Sequence, residues 1–280
     1  MFRFTTPVPP RLSIELRAGS VSVETAETTE TSVELVALND SRATTEAIAA
    51  AIVEQRGENV VVHVPERFGS IVGRGANIAV RVAAPGRSAL RVKTGSADVS
   101  APGEHGTTVV ETGSGDIELG TVVDSARVSS GSGDVRIGRV DGDVRIKTGS
   151  GNVVLGTVVG EASFTSGSGD LDLVVGGRAL VAKTGSGNVS IGAAPSDLRI
   201  TTASGDTRID AVEEGEVRVK AASGDVQLGI RPGTAAWLDV NTVSGRVSSG
   251  LDAAAEPAAS DRRVHLQLST VSGGIQLNRA

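Results

Sequence analysis

The sequence predicts an all-β protein: a single-stranded β-solenoid, or β-helix, with coils of about eighteen residues. Three observations support this fold class. Ser-Gly turns recur at a fixed spacing, apolar and polar residues alternate on both sides of each turn, and the composition suits short strands joined by tight turns. The 280 residues include 36 Gly but only four Phe, one Trp and no Tyr or Cys. Coils this narrow leave little room for large rings.

The repeat is clearest in the phrases KTGSGNVVLG at 147–156 and KTGSGNVSIG at 183–192. The serines of successive Ser-Gly turns lie eighteen residues apart at Ser96, Ser114, Ser132, Ser150, Ser168, Ser186 and Ser204. Ser223, Ser244 and Ser272 follow at spacings of nineteen, twenty-one and twenty-eight. The earlier phrase AGSVSV at 18–23 is interpreted as an outlying copy.

Each repeat places apolar residues at fixed distances from its serine, mostly six and four positions before it and three and five positions after it. This period of two is typical of half-buried strands. Helices are disfavoured, because two glycines in every repeat would each cost about 1 kcal/mol. An antiparallel meander is the more serious alternative, but it would not set equivalent residues in register at every eighteenth position. We therefore expect parallel stacked coils, each with a perimeter of about 60 Å, and Thr or Ser hydroxyls bonded to the backbone at each corner.

Three segments are predicted: a mixed, strand-rich N-terminal capping segment at 1–88, the regular solenoid at 89–229, and irregular coils with a cap at 230–280. A short helix is expected to begin near Thr44. PERFGSIVGRG at 65–75 and DAAAEPAASDRR at 252–263 are expected to be loops, and VHLQLST and GGIQLN the final strands. The single tryptophan, Trp237, is expected to pack in the C-terminal cap, and the alternative is an aromatic that contacts a partner.

The TGSGD-x-x-[LI]-G phrases, the ending GTAAWLDVNTVSGRV…SGGIQL and the opening PVPPRLSIEL together resemble the Toastrack family, also labelled “putative adhesin”, in its actinobacterial branch without a signal sequence. The similarity covers nearly the whole chain. The resemblance implies a right-handed β-solenoid and an association with envelope-stress modules or transcriptional regulators. It offers no settled catalytic residues.

An acidic row is expected two positions after the serines. Its members are Asp98, Asp116, Asp134, Asn152, Asp170, Asn188, Asp206 and Asp225. Carboxylates about 5 Å apart are the arrangement that calcium rolls use, so Asp116, Asp134 and Asp170 are weak calcium candidates. The favoured interpretation is that Asp and Asn bond to their own backbone at a corner, because Asn replaces Asp twice and the acidic turn occurs once in each coil. No metal is therefore expected.

A basic row on the outer face is the candidate interaction stripe for an anionic partner. It comprises Lys93, Lys147, Lys183 and Lys220, with Arg145 beside Lys147. The alternative is a solvated strand face with no binding role.

Catalysis and cofactors are not expected. His63, His105 and His265 lie far apart without metal-ligand spacing, cysteine is absent, and the Gly-Ser turns are not followed by the lysine and helix of a phosphate loop. The net charge of −6 provides no basic footprint for nucleic acid. No run of eighteen apolar residues or signal-peptide core occurs, so a cytoplasmic protein without a transmembrane segment is expected.

The sequence therefore predicts a non-catalytic scaffold that binds a protein partner or self-associates, with a homo-oligomer as one form. The alternative is a carbohydrate- or surface-binding adhesin-like module. A polysaccharide-active β-helix enzyme is less favoured, because sugar-binding faces use aromatic rings and this chain has few.

Overall fold

The computed structural model describes residues 1–65, 75–251 and 262–280. Its contacts divide the chain into two compact units, residues 1–142 and 143–280. Each unit is built from coils, and one coil consists of two consecutive strands that belong to two different sheets. The three-part division expected from the sequence remains a prediction.

The first unit contains the described helix and thirteen strands. Its elements are β1 (Phe2–Thr5), β2 (Arg11–Leu16), β3 (Gly19–Ala26), β4 (Glu30–Ala37), α1 (Arg42–Ala50), β5 (Ile52–Arg56), β6 (Asn59–His63), β7 (Ile78–Pro85), β8 (Ala89–Thr94), β9 (Asp98–His105), β10 (Thr108–Thr112), β11 (Ile117–Val122), β12 (Ala126–Ser130) and β13 (Val135–Val140). Within this unit the two sheets run β1-β4-β7-β3-β9-β11-β13 and β5-β6-β2-β8-β10-β12.

The second unit contains only strands among its described residues. They are β14 (Val144–Thr148), β15 (Val153–Val158), β16 (Glu161–Ser166), β17 (Leu171–Val175), β18 (Ala179–Thr184), β19 (Val189–Ala193), β20 (Asp197–Ser204), β21 (Thr207–Val212), β22 (Gly215–Ser223), β23 (Val226–Ile230), β24 (Thr234–Thr242), β25 (Val247–Ser249), β26 (Arg262–Ser272) and β27 (Ile275–Arg279). Its sheets run β14-β16-β18-β20-β22-β26-β24 and β15-β17-β19-β21-β23-β27-β25.

Equivalent residues of neighbouring repeats pair directly in parallel strands. Val110 pairs with Val128 between β10 and β12, and Leu173 pairs with Ile191 between β17 and β19. All four of these side chains are buried. The parallel β-solenoid predicted from the eighteen-residue period is confirmed, and the antiparallel meander is excluded for the repeats.

The outlying copy AGSVSV is also confirmed as a member of the stack. Val21 of β3 pairs in parallel with Val99 of β9, so it occupies the same buried column as the first regular repeat. On its other side, Val21 pairs with Val80 of β7. The coil β2–β3 is therefore inserted between the coils β6–β7 and β8–β9, although it comes first in the chain.

The second unit repeats this inversion of chain order. The coil β26–β27 lies between β22–β23 and β24–β25, so Ser223 pairs with Ser272 rather than with Ser244. The final strands were predicted at their correct positions in the sequence, but their place in the stack was not. The coil β24–β25 is consequently the outermost coil of the second unit.

Antiparallel strands cover the outer coil of the first unit. β5 pairs with β6, β4 pairs with β7, and β1 pairs with β4, all antiparallel. The expected helix is present as α1, where the Ser41 hydroxyl caps the start by accepting a hydrogen bond from the N–H of Thr44. Most of the expected loop at 65–75, and the expected loop at 252–263 up to residue 261, lie outside the described residues.

Candidate functional site

The Thr and Ser hydroxyls at the corners of the repeat form hydrogen bonds with the corner backbone. The residue two positions before each serine points inward and is nearly buried. The hydroxyl oxygens of Thr148, Ser166 and Thr184 accept hydrogen bonds from the N–H groups of Gly151, Gly169 and Gly187, at 2.9, 2.7 and 2.9 Å. The predicted bond between the hydroxyl and the corner backbone is confirmed, so these hydroxyls serve the turn rather than a ligand.

Glycine is required at these corners because the coils approach closely. A Cβ on Gly187 would lie 2.1 Å from the carbonyl oxygen of Gly169 in the adjacent coil. The backbone of the adjacent coil therefore leaves no room for a side chain at this corner position.

The acidic row forms a hydrogen-bonded chain from coil to coil. The Oδ1 atom of Asp98 accepts a hydrogen bond from the N–H of Asp116 at 3.0 Å, and Asp116 accepts one from Asp134 at 2.9 Å. In the second unit, Asp170 accepts from Asn188 at 2.7 Å and Asn188 accepts from Asp206 at 2.9 Å. Each of these side chains thus bonds to the backbone of the next coil, so the predicted bond to its own backbone was wrong. We call these residues the Asp/Asn row.

This geometry explains why either Asp or Asn can occupy a position in the row. Only one acceptor oxygen is used per coil, and a carboxylate and a side-chain amide both supply it. A calcium site would instead require several charged oxygens around one ion. Within the part of the chain that the structure describes, no three Asp, Glu, His or Cys side chains are grouped to hold a metal. Calcium binding by Asp116, Asp134 and Asp170 remains an untested possibility raised by the sequence alone.

Three of the four lysines of the candidate stripe share one outward row in the second unit. In register, this row reads Lys147, Thr165, Lys183, Thr201, Lys220 and Ser269. Coils are about 4.8 Å apart, so the ammonium groups are carried by positions about 10 Å apart. The neighbouring row reads Arg145, Ser163, Val181, Arg199, Arg218 and Gln267. These two rows are the basic rows referred to below.

Few of these basic groups are neutralised. Arg218 donates to Glu216 at 2.6 Å and to Gln267 at 2.7 Å. Among residues 143–251 and 262–280, no carboxylate lies within ion-pair distance of Lys147, Lys183 or Lys220, nor of Arg145 or Arg199. The two basic rows thus present positive charge beside small hydroxyl side chains, and the next outward row on the arginine side carries the carboxylates of Glu161, Asp197 and Glu216.

Lys93, the fourth lysine of the stripe, belongs to the first unit and has acidic neighbours. Its ammonium lies 3.5 Å from a carboxylate oxygen of Glu15, and its other register partner is Glu111. The sequence could not show this, because Glu15 reaches Lys93 only through the inserted coil β2–β3. Lys93 therefore sits in a locally neutral setting.

The three histidines have separate environments. His63 lies 3.2 Å from Glu15, and His265 is exposed on β26. His105 is buried in the row of Val122 and Val140, with Nε2 3.2 Å from the carbonyl oxygen of Pro102 and with Nδ1 unpartnered among the described atoms. Burial lowers the pKa of His105, although carbonyl contacts partly oppose the shift.

Trp237 does not pack in the cap, so that prediction was wrong. Its side chain is 75% exposed and points outward from β24, where it is in register with His265. The physical reason is that Trp237 has the outward parity of its strand, because its register partner His265 is exposed whereas the next pair, Leu238 and Leu266, lies in an inward column.

A shallow depression of about 630 Å³ lies on the other sheet of the second unit, where Arg208, Arg231 and Arg279 line it. Arg208 is paired with Asp210 at 2.8 Å, and Arg231 with Glu213 at 2.6 Å. The guanidinium of Arg279 donates to backbone carbonyls. These contacts hold the arginines as part of the structure. In the described segments, the depression contains no nucleophile with a positioned base.

No helix in the described ranges has both the length and the hydropathy needed to cross a membrane. The geometry defines the class of protein as a parallel β-solenoid whose repeated polar residues serve the stack. The Toastrack DUF4097 family model matches residues 11–194 and 178–278, so the chain belongs to the Toastrack family.

A comparison with curated protein sequences gives no match. Among solved structures, the chain is similar to a “putative cell adhesion protein” from Clostridium sporogenes ATCC 15579, with 8% identity and a TM-score of 0.24, over 100% of this chain and 98% of that one.

Proposed function

We propose that this chain is a non-catalytic scaffold that binds an acidic segment of a protein partner along the basic rows of its second unit. The observation that carries the proposal is the contrast between the two kinds of polar row. The Asp/Asn row and the corner hydroxyls are bonded to backbone, whereas Lys147, Lys183 and Lys220 project outward without carboxylate partners among the described residues.

The spacing of the lysines fits an extended acidic segment. The interval of about 10 Å between them corresponds to about three residues of an extended chain. The positions between the lysines in the same row are Thr165 and Thr201, whose hydroxyls can both donate and accept hydrogen bonds. Such a contact would be polar and weak at each position, so its strength would come from the repeat.

A protein partner is favoured over a carbohydrate because the basic rows contain no aromatic ring on which a sugar could stack. The exposed Trp237 lies on β24, in register with His265 and outside those rows. A role in envelope stress or regulation agrees with the family resemblance and is part of the same proposal.

The test is the binding of fluorescent poly-glutamate, measured by anisotropy, to the full chain and to the triple variant Lys147→Glu/Lys183→Glu/Lys220→Glu. We expect the reversal to abolish binding, and the matched triple Lys→Arg variant to retain it, because Arg preserves the charge. Binding should weaken as ionic strength rises. Unchanged binding by the reversed variant would refute the proposal, and a preference for the anionic polysaccharide alginate over poly-glutamate would favour the adhesin-like alternative.

A further inference from the structure

The outer coil of the second unit leaves core-type side chains exposed. Leu238 on β24 is in register with Leu266, which is buried, yet Leu238 is 40% exposed. Val247 on β25 pairs with the buried Ile275 and is 45% exposed. These residues occupy the inward columns of the solenoid, but among the described residues no further coil covers them.

The first unit shows how this chain covers an outer coil when it does so itself. Val60 and Val82 belong to the outer coil β6–β7 and are buried. The antiparallel strands β5 and β4 extend the two sheets beyond that coil. In the second unit, no described strand is placed beyond β24 or β25.

β24 also lacks the features that keep an edge strand from pairing. It is nine residues long with the sequence TAAWLDVNT, and Asp239 is its single charged residue. By comparison, the edge strand β5 has five residues and carries the ion-paired Glu54 and Arg56. Natural edge strands are usually protected by short length, charge or proline, so a long and nearly uncharged edge indicates a pairing surface.

We propose that the occupant of this edge is a second copy of the same chain, joined through antiparallel pairing of β24 with β24 about a twofold axis. Such a contact is isologous and closes on itself as a dimer. It continues both sheets and brings Leu238 and Val247 against the equivalent residues of the second copy. A head-to-tail contact has no comparable partner surface, because the outer coil of the first unit is already covered by β4 and β5.

Charge selects the register of this pairing. Alternate residues of β24 point outward, so Trp237 and Asp239 lie on the same face. Pairing centred on Leu238 places Trp237 opposite Asp239 of the second copy and keeps the two carboxylates apart. Pairing centred on Asp239 would put the two carboxylates directly opposite each other, which is destabilising.

The area of the contact is sufficient for a reversible dimer. A strand of nine residues spans about 30 Å, and two sheets about 10 Å apart with their side chains are about 20 Å thick. Each copy would therefore bury about 600 Å², or about 1,200 Å² in total, at the lower end of stable protein interfaces. We expect a dissociation constant in the micromolar range.

The experiment is sedimentation equilibrium of the full chain across low to high micromolar concentration, combined with tryptophan emission. Trp237 is the chain's single tryptophan, so its emission reports on this strand alone. We expect a monomer–dimer equilibrium and a shift of the emission to shorter wavelength as the dimer forms. A monomer at every concentration, or open-ended growth into larger assemblies, would overturn the proposal.

Leu238→Lys is the disrupting variant, and Val154→Lys is its matched control. Val154 lies on β15, points outward and is 37% exposed, which is close to the exposure of Leu238. We expect Leu238→Lys to weaken dimerisation at least tenfold and Val154→Lys to leave it unchanged, with circular dichroism confirming that both fold. A dimer equally stable in both variants would contradict the proposal.

This dimer is independent of the proposed function. The triple Lys→Glu variant of the basic rows should still dimerise, and Leu238→Lys should still bind poly-glutamate. If the dimer is not observed, poly-glutamate binding can still be tested with the triple Lys→Glu variant. If poly-glutamate does not bind, the dimer can still be tested with Leu238→Lys.

Discussion

The Oδ1 atom of Asn188 accepts a hydrogen bond from the backbone N–H of Asp206, 2.9 Å away and eighteen residues further along the chain. The same bond recurs between Asp170 and the N–H of Asn188 at 2.7 Å. A residue type that sequence reasoning could assign to a metal site thus joins adjacent coils. The Asp/Asn row fixes the spacing and register of the corners through one acceptor oxygen per coil.

The Asp/Asn row predicts that Asn and Asp are interchangeable and that Ala is not. Asp170→Asn should change the free energy of unfolding by less than about 0.5 kcal/mol, whereas Asp170→Ala should lower it by about 1 kcal/mol, because the N–H of Asn188 loses its acceptor. Urea unfolding of the two variants measures the difference. Equal losses in both would show that charge, rather than the acceptor, matters at this position.

Removing a corner hydroxyl should lower the free energy of unfolding more than removing an acceptor of the Asp/Asn row, even when the side chain keeps its shape. Thr184→Val keeps the shape but leaves the buried N–H of Gly187 without its partner at 2.9 Å. We expect a loss of about 1 to 3 kcal/mol in the free energy of unfolding. Thr184→Ser should be nearly neutral, since Ser166 occupies the equivalent position in the neighbouring coil. A neutral Thr184→Val would contradict the role assigned to the hydroxyl.

The close approach of coils predicts that corner glycines are not replaceable. Gly187→Ala would place a Cβ 2.1 Å from the Gly169 carbonyl oxygen and should destabilise the protein by about 1 to 3 kcal/mol or more. Gly86→Ala is the control, because no described atom lies within 4 Å of a Cβ at that position. Thermal unfolding should separate the two variants clearly.

Burial of His105 predicts that stability falls in mild acid. Because burial lowers the pKa of His105 in the folded protein, the unfolded chain binds the proton first as the pH drops through the ordinary histidine value of about 6.5. The free energy of unfolding therefore falls as the pH drops from the ordinary histidine value to the folded pKa. Below the folded pKa, His105 is protonated in both states and causes no further change. The carboxylates titrate at still lower pH and affect that range separately.

His105→Val tests this assignment, since Val122 and Val140 occupy the same row. The variant should flatten the dependence of unfolding free energy on pH near pH 6, whatever its stability at neutral pH. His265→Gln, at an exposed site, should keep the slope. If His105→Val retained the full slope, another group would have to be its source.

The hydrogen bonds of the Asp/Asn row also predict indifference to calcium. We expect no heat in calorimetric titration and an unchanged melting temperature in millimolar calcium, because the Oδ1 atoms of Asp116 and Asp170 are already bonded to backbone N–H groups. A calcium-dependent rise in melting temperature would restore the metal interpretation for these residues.

The sequence was sufficient to predict the solenoid because the same pattern of apolar and polar residues recurs in every coil. Val21, Val99 and the later members of their column share one environment. Residues at equivalent positions in the sequence repeat therefore lie next to each other in adjacent coils. The helix at Arg42–Ala50 is equally local and was also predicted, although its start was expected near Thr44 and the Ser41 cap was not predicted.

The order of the terminal coils could not be predicted, since β2–β3 and β26–β27 carry the same alternation as their neighbours and would fit at either position. The environments that depend on this order were missed with it. Lys93 acquires Glu15 through the inserted coil, and Leu238, in register with the buried Leu266, is exposed because its coil is outermost. Alternation specifies which side of a strand faces the core, but not which coil ends the stack.

Cysteine cross-linking on β16 and β18 tests the central claim, the parallel stacking of equivalent residues, most directly. The chain has no cysteine of its own. Thr165 pairs with Lys183 in the parallel register, and Glu161 with Ala179. The double variant Thr165→Cys/Lys183→Cys should form an intramolecular disulfide under mild oxidation, because adjacent strands hold paired Cα atoms within disulfide reach. Thr165→Cys/Ala179→Cys should not form one, and cross-linking of this second pair instead of the first would mean that the strands run antiparallel.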